Sequence, residues 1–124
     1  VQGFGVQVIG SDVTIDSVHV HDILPGANGN FGRCINLQVA VENGAACSGT
    51  IDRSLVENCH ESGILVFNSK ATIAHSVVRA VHPLPKDKRF GDIIGVCRQI
   101  RSNGNKAGGQ CQIGWRIRRS IIDR

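Results

Sequence analysis

Gly5-Val6-Gln7-Val8-Ile9-Gly10-Ser11-Asp12-Val13-Thr14-Ile15 and Gly63-Ile64-Leu65-Val66-Phe67-Asn68-Ser69-Lys70-Ala71-Thr72-Ile73 are two copies of one segment. The offset is 63 − 5 = 58 residues, with glycine, alternating apolar residues, serine and Thr-Ile all in register. Both copies run on to a proline (Pro25, Pro83) and then to Phe-Gly (Phe31-Gly32, Phe90-Gly91). Self-similarity at a fixed spacing marks a solenoid, in which each repeat buries its apolar face only against its neighbours.

A shorter period lies inside the long one. Thr50-Ile51-Asp52-Arg53-Ser54-Leu55-Val56-Glu57 aligns with Thr72-Ile73-Ala74-His75-Ser76-Val77-Val78-Arg79 at 72 − 50 = 22 residues. Arg116-Ile117-Arg118-Arg119-Ser120-Ile121-Ile122-Asp123 follows at 116 − 72 = 44, and Thr14-Ile15-Asp16-Ser17-Val18-His19-Val20-His21 is the same unit less one residue. Each strand-bend-strand unit follows a glycine-led strand, starting at Gly5, Gly32, Gly63 and Gly91. The expectation is four coils, 5–31, 32–62, 63–90 and 91–124, with insertions at 40–49 and 98–112. The period-two runs of Val and Ile argue strand throughout. Val6, Ile35, Ile64 and Ile94 should form one inward column, and Ile15, Ile51, Ile73 and Ile117 another.

Composition agrees with this class. The 124 residues, one domain by length, contain 15 Gly, 4 Phe, one Trp and no Tyr or Met. Short strands and tight turns suit that content better than an aromatic core does. No apolar run reaches the ~18 residues of a membrane-spanning helix. The start, Val1-Gln2-Gly3, shows neither a basic n-region nor an apolar h-region, and the last unit ends at Arg124 without a polar cap. Solenoids need capping repeats, so residues 1–124 read as part of a longer array whose open ends would self-associate.

The motif in Gly63 to Arg79, G-x-x-V-x-x-S-x-a-T-I-x-x-S-V-V-R with a small residue at a, resembles the repeats of right-handed parallel β-helices. Pectate lyases, polygalacturonases and many secreted repeat proteins share that fold. The resemblance is greatest to bacterial, myxobacterial-type, secreted β-helix repeat proteins of unassigned activity, and it covers nearly the whole chain. It implies an all-β solenoid of about four coils at the cell surface or outside the cell. It does not imply a reaction, because fold does not fix function.

Several residue patterns bear on chemistry. Cys34 and Cys47 bracket one insertion and Cys97 and Cys111 the other, at the similar spacings 47 − 34 = 13 and 111 − 97 = 14. Two loop-closing disulfides with Cys59 left over fit a secreted protein; five reduced, packed cysteines are the alternative. The outward residues of the glycine-led strands are read as Gln7, Ile9, Asn36, Gln38, Leu65, Phe67, Gly95 and Cys97, with Asp92 the one acid nearby. Glycoside hydrolysis needs two carboxylates about one bond, and lyase chemistry needs a base with charge stabilisation, so this face argues against catalysis. Glu57, Arg79 and Asp123 fall in one outward column as an ion-pair ladder, and Arg53, His75 and Arg119 in a basic one. His19 and His21 are the only local histidine pair, and no metal or cofactor is expected.

The formal charge is 14 − 10 = +4, with the basic residues crowded toward the end. Arg53, His75, Arg116, Arg118 and Arg119 are the candidates for contact with an acidic polysaccharide, against the alternative of a solvated surface that aids solubility. Scarce aromatics argue against nucleic acid. The expected role is a non-catalytic scaffold or interaction module, with a polysaccharide lyase or glycoside hydrolase as the alternative.

Overall fold

The computed structural model describes residues 2–88, 91–99 and 109–113; for Asp92, Arg98, Gln99 and residues 109–113 it describes the backbone alone. The described chain is all-β: β1 (Phe4–Ile9), β2 (Asp12–Asp16), β3 (His19–His21), β4 (Arg33–Gln38), β5 (Ser48–Asp52), β6 (Leu55–His60), β7 (Ser62–Phe67), β8 (Lys70–Ala74), β9 (Val77–His82), β10 (Asp92–Gln99) and β11 (Gly109–Ile113). Among these residues no helix is long and apolar enough to cross a membrane.

The strands sort by period rather than by sequence neighbourhood. The first sheet has the order β1-β4-β7-β10-β11, the second β2-β5-β8 and the third β3-β6-β9. Three times the chain visits the three sheets in the same order, and each strand pairs in parallel with its equivalent one pass on. The two inward columns form as the period demands. Val6, Ile35, Ile64 and Ile94 stand in register across the first sheet. Ile15, Ile51 and Ile73 do so across the second; Ile117 and the fourth strand-bend-strand unit lie outside the described residues. Ile35, Ile51 and Ile64 are fully buried, and each such side chain contributes roughly 1.5–3 kcal/mol by leaving water.

One left-handed residue makes each corner. Ser17, Arg53 and His75, with φ of 57°, 48° and 50°, turn the chain between the second and third sheets. Asp22, Asn58 and Ala80, with φ of 58°, 56° and 53°, bend it near the end of the third. A serine stack ties the former corner together. Ser54 Oγ donates to Asp52 O and accepts from the Val18 N–H at 3.2 Å. Ser76 Oγ donates to Ala74 O and accepts from the Ser54 N–H at 3.1 Å. Ser54 and Ser76 are buried, and the stack satisfies backbone groups that water does not reach.

The register separates two glycine positions that the sequence aligns as one. Gly5 and Gly63 share a position with Cys34 and Ile93, whereas Gly32 and Gly91 share one with Gly3 and Glu61. At the first position Gly63 sits in close approach: a Cβ there would lie 2.6 Å from Val78 Cγ1 and 2.7 Å from Ile93 O. The second requires a left-handed backbone, with φ of 86°, 92° and 104° at Gly3, Gly32 and Gly91.

The disulfide pattern corrects the expected Cys34–Cys47 bond. Cys34 is bonded to Cys59, with Cα atoms 5.5 Å apart. A three-sided pass closes on itself, so the start of β4 meets the end of β6 even though 25 residues of chain separate them. Cys47 keeps a buried free thiol, which donates to Gln38 O at 3.0 Å and Val8 O at 3.3 Å. Cys97 is disulfide-bonded, and the backbone sets it opposite Cys111; the Cys111 side chain is outside the described residues. The insertion after β10 also departs from a plain loop, because β11 returns antiparallel along β10.

Candidate functional site

The outer face of the first sheet is the candidate surface, although Asn36, Leu65, Gly95 and Cys97 on it are buried. Parallel register stacks Gln7, Asn36, Leu65 and Gly95 in one outward column and Ile9, Gln38, Phe67 and Cys97 in the next. These are the eight positions assigned outward from period-two alternation. Gly95, at the end of the first column, leaves room for Leu65, whose Cδ1 would be 2.9 Å from a Cβ there. The result is an open groove of about 350 Å³. Leu65, Phe67, Val39 and Val41 line it, as do Arg33 and Glu61. Val41 is 85% exposed.

Glu61 was not foreseen. It occupies the left-handed position that is glycine in the other three passes, at φ 63°, and its carboxylate is buried. Arg33 holds Oε1 through Nε at 2.5 Å and through a second, very short contact. Oε2 accepts the Phe31 N–H at 3.0 Å. Arg33 also donates to Asn36 Oδ1 at 2.9 Å, and its guanidinium lies 4.9 Å from the Phe31 ring centroid. Phe31 in turn packs on Phe4, with ring centroids 5.0 Å apart. Both carboxylate oxygens therefore have donors, and the pair anchors the end of the loop between β3 and β4. Asp92, one strand on, has its backbone in register with Ser62. The signal for Glu61 was present in the sequence, in the Glu-Ser-Gly of residues 61–63, but aligning Gly63 with Gly32 hid it.

The charged columns also form, and they are internally paired. Arg53 makes a two-pronged ion pair with Asp16 of the preceding pass, with Nε 2.8 Å from Oδ1. His75 Nδ1 lies 2.9 Å from Asp52 Oδ1. Arg79 binds Glu57 at 3.1 Å, and His19 Nε2 approaches the other Glu57 oxygen at 2.7 Å. Hydrogen bonds from Arg53, then Ser17, hold the Asp16 carboxyl below its usual range. Those from His19, then Arg79, do the same for Glu57.

Arg53 and His75 thus share an edge, as expected, but each has an acid from the pass before it. Arg116, Arg118, Arg119 and Asp123 lie outside the described residues. His19 and His21 stack with ring centroids 4.2 Å apart, and His21 Nδ1 lies 2.8 Å from Asp22 Oδ2. Among the described residues no group of three or more His, Cys, Asp or Glu side chains is placed to hold a metal ion. No family model matches the chain, and neither a curated protein nor a solved structure matches it.

Proposed function

We propose that the chain is part of a right-handed parallel β-helix and acts as a non-catalytic interaction module outside the cell or at its surface. The hand follows from the general preference of crossovers between parallel strands. The Cys34–Cys59 bond fits an oxidising compartment. The observation that carries the non-catalytic reading is the state of Glu61. It is the one described carboxylate in the groove, and both its oxygens already have partners within the protein. A general acid or base must exchange a proton with substrate, and a carboxylate held between a guanidinium and a backbone N–H is occupied structurally.

The ligand we infer is a polysaccharide lying across the passes. Leu65 and Phe67 offer an apolar floor for sugar rings, and Gln38 offers hydrogen bonds at the edge. Arg116, Arg118 and Arg119, outside the described residues, are the candidates that the sequence offers for an acidic chain, since Arg53 and His75 already face carboxylates. The test is a glycan-binding screen run beside a depolymerisation assay on the same acidic polysaccharides. Retention without new chain ends is the expected result, and release of unsaturated or reducing ends would overturn it. A lyase or hydrolase remains the second reading because of one feature: Glu61 is a non-glycine residue in a left-handed backbone beside a groove, and such strain concentrates at functional sites.

A further inference from the structure

The third sheet brings together two histidines that are 82 − 60 = 22 residues apart in sequence. His60 and His82 are register partners on β6 and β9. Their rings tilt toward one another with centroids 5.3 Å apart. His60 is half-buried and His82 exposed.

Hydrogen bonding fixes the tautomer of each ring. His60 Nδ1 lies 2.9 Å from Ile23 O, and a carbonyl only accepts, so Nδ1 carries the proton and Nε2 keeps its lone pair. His82 Nε2 lies 3.1 Å from Asn58 Oδ1. The amide of Asn58 cannot be turned over, because its Nδ2 donates to the Asp22 carboxylate at 2.6 Å. His82 Nε2 is therefore also a donor, which leaves Nδ1 free. Each ring has one nitrogen tied to an oxygen acceptor and one bare lone pair. Metal-ligating histidines have this arrangement, since the second hydrogen bond sets ring orientation and tautomer.

We propose that His60 and His82 form a two-histidine chelate for a divalent first-row transition ion of the imidazole-preferring group, copper, nickel or zinc. The spacing suits it. Nitrogen ligands ~2.1 Å from a tetrahedral ion place two imidazole centroids roughly 5 Å apart, near the 5.3 Å here. The local backbone is held for the purpose: the His60 N–H donates to Gly32 O at 2.8 Å. The absence of a Cβ on Gly32, which would fall 2.7 Å from His60 Cβ, lets the histidine in. The site is open, with the remaining coordination positions left to water or to a donor from a bound molecule. Asn58 is a positioning residue that acts through His82.

The test uses tag-free protein and Cu²⁺, followed by electron paramagnetic resonance, with Ni²⁺ titrated calorimetrically. The expected result is one ion per chain with hyperfine coupling to two imidazole nitrogens, undisturbed by excess Mg²⁺ or Ca²⁺. His82→Gln should weaken Ni²⁺ binding roughly tenfold or more and remove one nitrogen from the spectrum; Asn58→Ala should weaken it too, by the ~10-fold typical of lost outer-shell support. The double variant His19→Gln/His21→Gln should bind as the parent does. Circular dichroism checks the fold of each, and if His60→Gln does not fold, exposed His82 alone decides. Parent protein that binds no ion, an unchanged His82→Gln, or loss of binding in the His19/His21 variant would each overturn the proposal.

Discussion

Glu61 sets two energies against each other. Its left-handed backbone costs on the order of 1–3 kcal/mol, a cost that Gly3, Gly32 and Gly91 escape in the other passes. Its carboxylate, in return, neutralises Arg33, whose side chain is itself only 17% exposed. Removing one partner of a buried pair leaves an uncompensated charge, worth about 3–5 kcal/mol. The second term is larger, so Glu61→Gly should destabilise by roughly 2 kcal/mol despite relaxing the backbone. Adding Arg33→Met should recover most of that loss. Denaturant titration of the two variants checks it, and a Glu61→Gly protein as stable as the parent would mean that the pair contributes no more than the backbone strain costs. The cysteines behave differently. Peptide mapping without reductant should find Cys34 joined to Cys59 and Cys47 free. Cys34→Ser with Cys59→Ser, which leaves the Cys97 bond in place, should cost ~3 kcal/mol for a loop of this length.

Among elements, the serine stack and the charged corners hold one pass to the next. Ser76→Ala would strip the buried Ser54 N–H of its acceptor, and an orphaned buried donor costs about 1–3 kcal/mol. Thermal unfolding should register that loss, whereas Ser11→Ala, at an exposed bond to Ile9 O, should change little. The carboxylates at the corners give the pH dependence its sign. Asp16, Asp22 and Glu57 all titrate below their usual values in the folded chain. Their contribution is therefore complete above the ordinary carboxylate range and is lost as pH falls through the lowered folded values. Melting temperature should hold steady down to that range and drop beneath it. Arg53→Gln with Arg79→Gln should flatten the drop; an unaltered acid limb would remove these pairs from the account.

The inward columns and the eight outward positions of the first sheet were legible in the sequence, because side chains in a strand alternate strictly and the repeat supplies the register. The disulfide was not. Spacing along the chain measures contour, while bonding follows the chord across a closed pass, so Cys34 finds Cys59 rather than the nearer Cys47. Glu61 was lost to a shift of two residues between the two glycine positions. The antiparallel return of β11 had no periodic signal at all, since an insertion answers to no repeat. His60 and His82, by contrast, obey the same 22-residue offset as Thr50 and Thr72, so the repeat itself carries their pairing across strands.

At the scale of the whole molecule, the first pass lies at one end of all three sheets. Among the described residues β1, β2 and β3 each have a partner on one side only, so in the 124-residue polypeptide taken by itself this edge is open to other chains. Sedimentation at rising concentration should reveal association through this end. A substitution placing lysine at Thr14, on the edge strand, should reduce it. A monomer at every concentration would show that the edge is already protected.

The Cys34–Cys59 bond has a kinetic meaning beyond its effect on stability. It joins β4 to β6 within a single pass, so once oxidised the second pass is a covalent ring rather than an open length of chain. The slow event in a stacked array is making the first ring, because its ends must meet before any neighbour rewards the closure. Here that closure survives denaturation. A chain refolding with the bond intact starts with its nucleus in hand, and order can spread from the second pass toward both ends. The oxidised protein should refold markedly faster than its Cys34→Ser/Cys59→Ser variant, even where the two are brought to equal stability.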